Sequence, residues 1–223
     1  MFAHEFRKKS VKIIENNGGN NNRSNYNNKT KPKWNVEILI NFLIIRNMKH
    51  FAKYDCLIGT LLIESDDEFI TKIDLIKDIK LLENIDFEQN SLVFSDIKLW
   101  LDAYFVNKQI LINPKIKFIG TKFQKLVWEG LQKLAKFGQT ITYKDLANYV
   151  ILKNKQSKMS CQAIGNAVGK NPLLIIVPCH RVVGANKTLT GFSCGIDAKI
   201  KLLEHENILL DKSGDNRLKW KIV

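Results

Sequence analysis

The run Pro178-Cys179-His180-Arg181 places a nucleophile directly beside a base. A free thiol, with an ordinary pKa of about 8.5, is mostly protonated at neutral pH, and only the thiolate attacks. His180 can take that proton directly or through a water, and a carboxylate can orient the imidazole. Two candidates for the carboxylate lie downstream in Leu202-Leu203-Glu204-His205-Glu206, and residue type alone does not choose between Glu204 and Glu206. Adjacent residues on an extended strand point to opposite faces. Cys179 and His180 can therefore cooperate only where the strand breaks, and Pro178 predicts the break.

The other cysteines, Cys56, Cys161 and Cys194, form no C-x-x-C pair and share no regular spacing with Cys179. Neither a disulfide framework nor a zinc site is expected, and a reduced intracellular compartment fits. No metal and no cofactor is implied. The longest apolar stretch, Ile38 to Ile45, is interrupted by Asn41 and falls short of the roughly 20 residues that cross a bilayer, so no membrane association is expected.

The chain of 223 residues carries a net charge of +13, distributed as +7 over residues 1–50, −4 over 51–117 and +10 over 118–223. An acidic middle beside a basic C-terminal half predicts that the latter half meets phosphates. Residues 1–47, with the run Asn16-Asn-Gly-Gly-Asn-Asn-Asn-Arg-Ser-Asn-Tyr-Asn-Asn28, read as a disordered basic tail.

The elements that must position the cysteine follow from periodicity. Cys56 to Ile63 and Phe69 to Ile73 read as two short strands joined by the acidic turn Glu64-Ser-Asp-Asp-Glu68. Ile97, Trp100, Leu101, Tyr104 and Phe105 mark a helical face behind a Ser95 cap. Phe123, Leu126, Val127, Leu131 and Leu134 mark a second helix, with Gly138 as its stop. Thr142 and Asp145 have capping-box spacing before Leu146, Ala147 and Val150, and Ser160 caps a further helix through Ala163, Ile164, Ala167 and Val168 to Gly169. Two short helices in the most basic region, with small residues at Ala163, Gly165 and Ala167, suggest a helix-turn-helix that approaches a groove. Leu173 to Val177 reads as a buried strand leading to Pro178, and a last helix starts near Ile196.

Ile175-Ile-Val-Pro-Cys-His-Arg-Val-Val-Gly184, preceded by Gly165 and Asn171-Pro172, resembles the O6-alkylguanine-DNA alkyltransferases. The resemblance extends from roughly Asp55 to Asn207, through Leu101-Asp-Ala-Tyr-Phe105, Phe123-Gln-Lys-Leu-Val-Trp128, Tyr143-Lys-Asp-Leu-Ala147 and Leu202-Leu-Glu-His-Glu206. It implies an α+β chain: a small ribonuclease-H-like α/β domain over 48–117, a mostly helical, winged-helix-like DNA-binding domain over 118–210, and an extension over 211–223. The implied activity is single-turnover transfer of an alkyl group from O6-alkylguanine, or O4-methylthymine, onto Cys179. A stacked base must first be flipped into the pocket. By the same resemblance His180 and Glu206 form a water-linked relay, Asn171 holds the active-site turn, and Tyr143 assists the leaving guanine. Gln162, Ala163, Gly165, Lys144 and Arg181 meet DNA, while Val182, Phe192 and Ser193 line the pocket. The implied partner is double-stranded DNA carrying the lesion, bound by a monomer. The Asn-rich tail suggests a eukaryotic chain, and hence the nucleus.

Three positions depart from the family pattern. Gln162 stands where an Arg fills the space left by the flipped base, Phe192 where a pocket Tyr is usual, and Cys194 where a small residue sits, narrowing the pocket against bulky alkyl groups. The loop from Ile151 to Ser160 is longer than usual, and the Cys and His ligands that hold a structural zinc in some members are not evident. The competing reading is a lesion sensor that flips alkylated guanine without transfer. Those relatives replace the reactive Cys, so Cys179 argues against it. A basic helix-turn-helix regulator would leave the Cys-His-carboxylate set unexplained.

Overall fold

The computed structural model describes residues 49–211, apart from 79, 81, 82, 84, 88–91, 110, 156, 157, 186 and 190, together with 219–220. The expected tail over 1–47 and most of the extension over 211–223 lie outside the described residues.

Three strands, β1 (His50–Cys56), β2 (Gly59–Ser65) and β3 (Ile70–Leu75), form an antiparallel meander in the order β1-β2-β3. The expected first strand, Cys56 to Ile63, instead crosses a hairpin turn. Gly59 takes φ +125, which other residues rarely adopt, and Cys56 pairs with it across the turn. Leu61, Ile63, Ile70 and Ile73 bury their side chains beneath α1 (Leu92–Phe105), which contributes Phe94, Ile97, Leu101 and Tyr104. Phe94 carries the apolar face one turn further back than expected, so Ser95 lies inside the helix rather than capping it.

The second half is built on α2 (Lys122–Leu134), α3 (Tyr143–Asn154) and α4 (Cys161–Gly169), which pack on one another. Reciprocal capping boxes, Thr121 with Gln124 and Thr142 with Asp145, start the first two helices, and Ser160 caps the third, each worth about 1 kcal/mol. Trp128 Nε1 donates to Ala167 O at 2.9 Å, tying α2 to α4. A Cβ on Gly130 would stand 2.7 Å from the Tyr149 ring, so glycine there permits the close approach of α2 to α3. Helix α2 ends at Leu134, earlier than expected, and Gly138, with φ +71, shapes the turn beyond it. A short parallel pair joins β4 (Ile141–Thr142) to β5 (Val182–Val183), and α5 (Ile196–His205) closes the core with Ala198, Lys199, Leu202 and Leu203. After α5 a small antiparallel pair joins β6 (Leu210–Asp211) to β7 (Lys219–Trp220).

Residues from Leu173 to Val177 do not form the expected strand. Only its start pairs with β3: Ile73 N donates to Pro172 O at 2.8 Å and Leu174 N to Ile73 O at 3.1 Å. The run then folds back, with Ile176 N on Leu174 O, Val177 N on Leu173 O, and Ile175 at φ +72. For a β-branched residue this left-handed conformation costs on the order of 1–3 kcal/mol. Burial of Ile175 to 1% exposure and the bonds made by Asn171 hold it in place.

Candidate active site

Beyond Pro178, residues Cys179–Arg181 close a single 3-10 turn, with Arg181 N donating to Pro178 O at 3.1 Å. With three residues per revolution, successive side chains fan out by roughly 120° instead of alternating. Cys179 and His180 are therefore both buried, at 4% and 0% exposure. Asn171, just beyond the end of α4, shapes the approach. Its Oδ1 accepts from Leu173 N at 3.0 Å, and its Nδ2 donates to Val177 O at 2.8 Å and to Cys179 Sγ at 3.0 Å.

Burial pushes the Cys179 thiol up to about 11, against the opposing influence of the Asn171 hydrogen bond and the Lys199 charge. The resting nucleophile is a thiol. Lys199 lies in the buried phase of α5, donates from Nζ to Val182 O at 2.6 Å, and is brought down to about 8 by desolvation. Sequence reasoning missed it, although a lysine in phase with Ala198, Leu202 and Leu203 is itself a signal, since a buried cation needs a purpose or a partner.

The carboxylate is Glu206, at the C-cap of α5; Glu204 is exposed. A negative charge at a helix C-terminus opposes the macrodipole, so Glu206 needs donors, and it collects five. Oε1 accepts from His180 Nε2 at 2.8 Å, Arg181 Nη2 at 2.8 Å and Tyr104 Oη at 2.6 Å. Oε2 accepts from Arg181 Nε at 2.8 Å and Gly138 N at 3.3 Å. Burial alone would raise the carboxyl pKa; hydrogen bonds from His180 and Arg181, with the guanidinium charge, hold it down at about 2. An ionised Glu206 can only accept, so Nε2 of His180 carries the proton and Nδ1 is the basic nitrogen. Burial keeps His180 below its ordinary pKa, hence neutral, and Nδ1 is buried with no hydrogen-bond partner among the described residues. The arrangement holds a thiol beside an imidazole whose free nitrogen can receive its proton.

Arg181, expected on DNA, is instead 8% exposed and consumed internally. Besides its paired bonds to Glu206 it donates from Nη1 to Ala135 O at 2.7 Å, and its guanidinium sits over the Phe137 ring. Few donors are left for a phosphate. The remaining expected residues fall around the turn. Pairing of Ile141 with Val182 and Thr142 with Val183 delivers Tyr143, the first residue of α3, to the segment that follows Cys179, and a Cβ on Gly165 would stand 3.7 Å from the Tyr143 ring. Val182 is fully buried, Phe192 and Cys194 are half-buried against the core, and Ser193 is exposed. Lys144 and Gln162 are exposed in the first turns of α3 and α4, with Ala163 half-buried. Tyr104, which periodicity marks only as part of a buried helical face, joins the carboxylate network through its hydroxyl. Among the described residues no group of three or more His, Cys, Asp or Glu side chains could hold a metal, and no helix is long and apolar enough to cross a membrane.

Residues 49–118 match the family model for the 6-O-methylguanine DNA methyltransferase ribonuclease-like domain, and residues 122–208 match the model for that family's DNA binding domain. The chain is similar to a methylated-DNA–protein-cysteine methyltransferase of Haemophilus influenzae, at 36% identity over 75% of this chain and 92% of the relative. It is similar to another of the same name from Methanosarcina acetivorans, at 36% identity over 70% of this chain and 97% of the relative. Among solved structures it resembles the Mycobacterium tuberculosis OGT in complex with DNA, at 31% identity, covering 70% of this chain and 92% of that one with a TM-score of 0.60.

Proposed function

The chain belongs to the 6-O-methylguanine DNA methyltransferase family and repairs DNA by moving an alkyl group onto one of its own cysteines, and from that premise we propose that the acceptor is Cys179. The observation that carries the assignment is the bond from His180 Nε2 to Glu206 Oε1, which leaves Nδ1 as the proton acceptor within the same buried turn as the thiol.

In the reaction a lone pair on Sγ attacks the carbon carried by O6 of guanine, and the carbon–oxygen bond breaks as the carbon–sulfur bond forms. The thiol proton passes to Nδ1 of His180 through a water. Charge developing on the leaving guanine is met by a hydrogen bond from Tyr143; the anion takes up a proton at N1 from solvent while His180 returns the thiol proton to solvent, and restored guanine departs. The product is a thioether, and no step returns the thiol, so one protein repairs one base. Burial keeps the proton on sulfur until the alkylated base arrives, which protects the thiol from idle reaction.

Helices α3 and α4 act as a helix-turn-helix along the DNA, with Lys144, Ala163 and Gly165 close to it, and Gln162 enters the stack in place of the flipped lesion. Val182, Phe192 and Ser193 border the base pocket. The protein works as a monomer whose units span 48–117 and 118–210. The relatives named above are prokaryotic and lend no support to the nuclear address read from the Asn-rich tail. The lesion-sensor alternative is not favoured, since the thiol, base and carboxylate are all present. Incubation with excess duplex containing O6-methylguanine tests the reading. Transfer should stop at one methyl per chain and be absent in Cys179→Ser, whereas lesion binding with no transfer by the wild-type chain would restore the sensor.

A further inference from the structure

The base depends on a carboxylate that is held from outside the DNA-binding half. Tyr104 stands on α1 of the ribonuclease-like half, and its hydroxyl reaches Glu206 Oε1 over 2.6 Å in a fully buried contact. The ring is fixed on three sides, stacked on Trp100 at 5.7 Å and set against Phe137 and His205 at 5.9 and 5.2 Å. The carbonyl of the same residue bonds His205 Nε2 at 2.9 Å. One residue thus grips two successive positions at the end of α5. The same half also holds the approach to the nucleophile through the pairing of Ile73 with Pro172 and Leu174.

We propose that Tyr104 is a positioning residue for alkyl transfer, through which the ribonuclease-like half sets the orientation and effective charge of Glu206 and so the basicity of His180. The inference rests on the assignment of Cys179, His180 and Glu206 made above.

The physical basis is competition for one oxygen. Oε1 of Glu206 is shared among His180, Arg181 and Tyr104, and each donor draws on the same negative charge. Tyr104 is an obligate donor, because burial, with the neighbouring carboxylate, pushes its phenol above its ordinary range. Removing the hydroxyl leaves more carboxylate charge on His180, which favours the imidazolium and raises its pKa. It also releases one of the restraints on the carboxylate. The groups facing the imidazole are Glu206 and Lys199 from α5 and its end, and Arg181 from its own turn; Glu206 is faced in addition by Tyr104 from α1. Only Tyr104 among these can be changed without deleting the nucleophile, the base or a charge.

The test compares the full chain with Tyr104→Phe in single-turnover transfer from duplex containing O6-methylguanine, across pH and at saturating DNA. Transfer should slow by about tenfold at neutral pH, with the Kd for lesion DNA unchanged and the acidic limb of the rate profile moved to higher pH. A folded variant with the wild-type rate and limb overturns the inference, as does a change confined to Kd or to thermal stability. If Tyr104→Phe does not fold, 3-fluorotyrosine at position 104 keeps the shape and strengthens the donor. The limb should then move to lower pH, and an unmoved limb overturns the inference. Absence of transfer by the wild-type chain would instead bring down the assignment on which it rests.

Discussion

The amide nitrogen of Asn171 donates to Cys179 Sγ over 3.0 Å and to Val177 O over 2.8 Å. One side chain therefore shapes the turn and supplies the hydrogen bond that favours the thiolate. Asn171→Ala should slow transfer by about 10- to 100-fold, because a donor aimed at developing charge is lost. It should also destabilise the fold by about 1–3 kcal/mol, since Leu173 N loses its partner and Val177 O keeps only the bond from Cys179 N. Single-turnover kinetics and urea unfolding separate the two effects. Lost stability with unchanged transfer would make Asn171 a purely structural residue.

The thiol itself offers a pH test. Burial raises it to about 11, well above the ordinary thiol range, so in the absence of DNA its reaction with iodoacetamide should rise with pH toward a midpoint near 11. Lys199, brought down to about 8, is already neutral at that midpoint, so Lys199→Met should leave it near 11. Labelling quantified on the Cys179 peptide checks both. A midpoint at 9 or below would mean that burial does not control this cysteine.

Glu206 makes stability depend on acid. Its carboxyl ionises at about 2 in the folded chain against an ordinary 4.5, so the stabilisation is complete above pH 4.5 and is lost as pH falls from 4.5 through 2. The amount at stake is about 3 kcal/mol. His180, held neutral by burial, adds a loss of the same sign that begins as pH falls below 6.5. Glu206→Gln should start several kcal/mol less stable, on the order of 3–5, because Arg181 is left buried without its counter-charge. Its acid slope should also be shallower. Parallel slopes in denaturant titrations would show that Glu206 is not the group responsible.

Gln162 is exposed in the first turn of α4, where a longer cation could reach the duplex. Gln162→Arg should tighten lesion binding or speed transfer, by about 3- to 10-fold, because it adds charge where the flipped base leaves a gap. Fluorescence anisotropy with lesion duplex measures the first effect and single-turnover transfer the second. No gain in either would mean that position 162 does not fill the stack.

What was legible in the sequence was local. The boxes at Thr121 and Thr142 and the Ser160 cap are written within four residues, and the structure has all three caps. Pro178 announced the break that turns Cys179 and His180 inward. What was not legible depends on contacts between distant segments. Ile175 takes a left-handed conformation because Asn171 and β3 hold the run around it, which a string of apolar residues cannot reveal. Arg181 reads as a phosphate contact in a basic domain, yet Glu206 and Ala135 O consume its donors. Tyr104 sits in the acidic half, far up the chain, with only its burial to hint that its hydroxyl needed a partner.

The central claim is that Cys179 becomes the alkyl carrier. Its most direct test is peptide mass mapping of the intact chain after incubation with duplex containing O6-methylguanine. The account predicts that the peptide holding Cys179 gains the mass of one methyl in place of hydrogen, to at most one per chain, while Cys56, Cys161 and Cys194 remain unmodified and Cys179→Ala gains nothing. A methyl found on any other cysteine, or an unmodified chain that still binds the lesion, would contradict it.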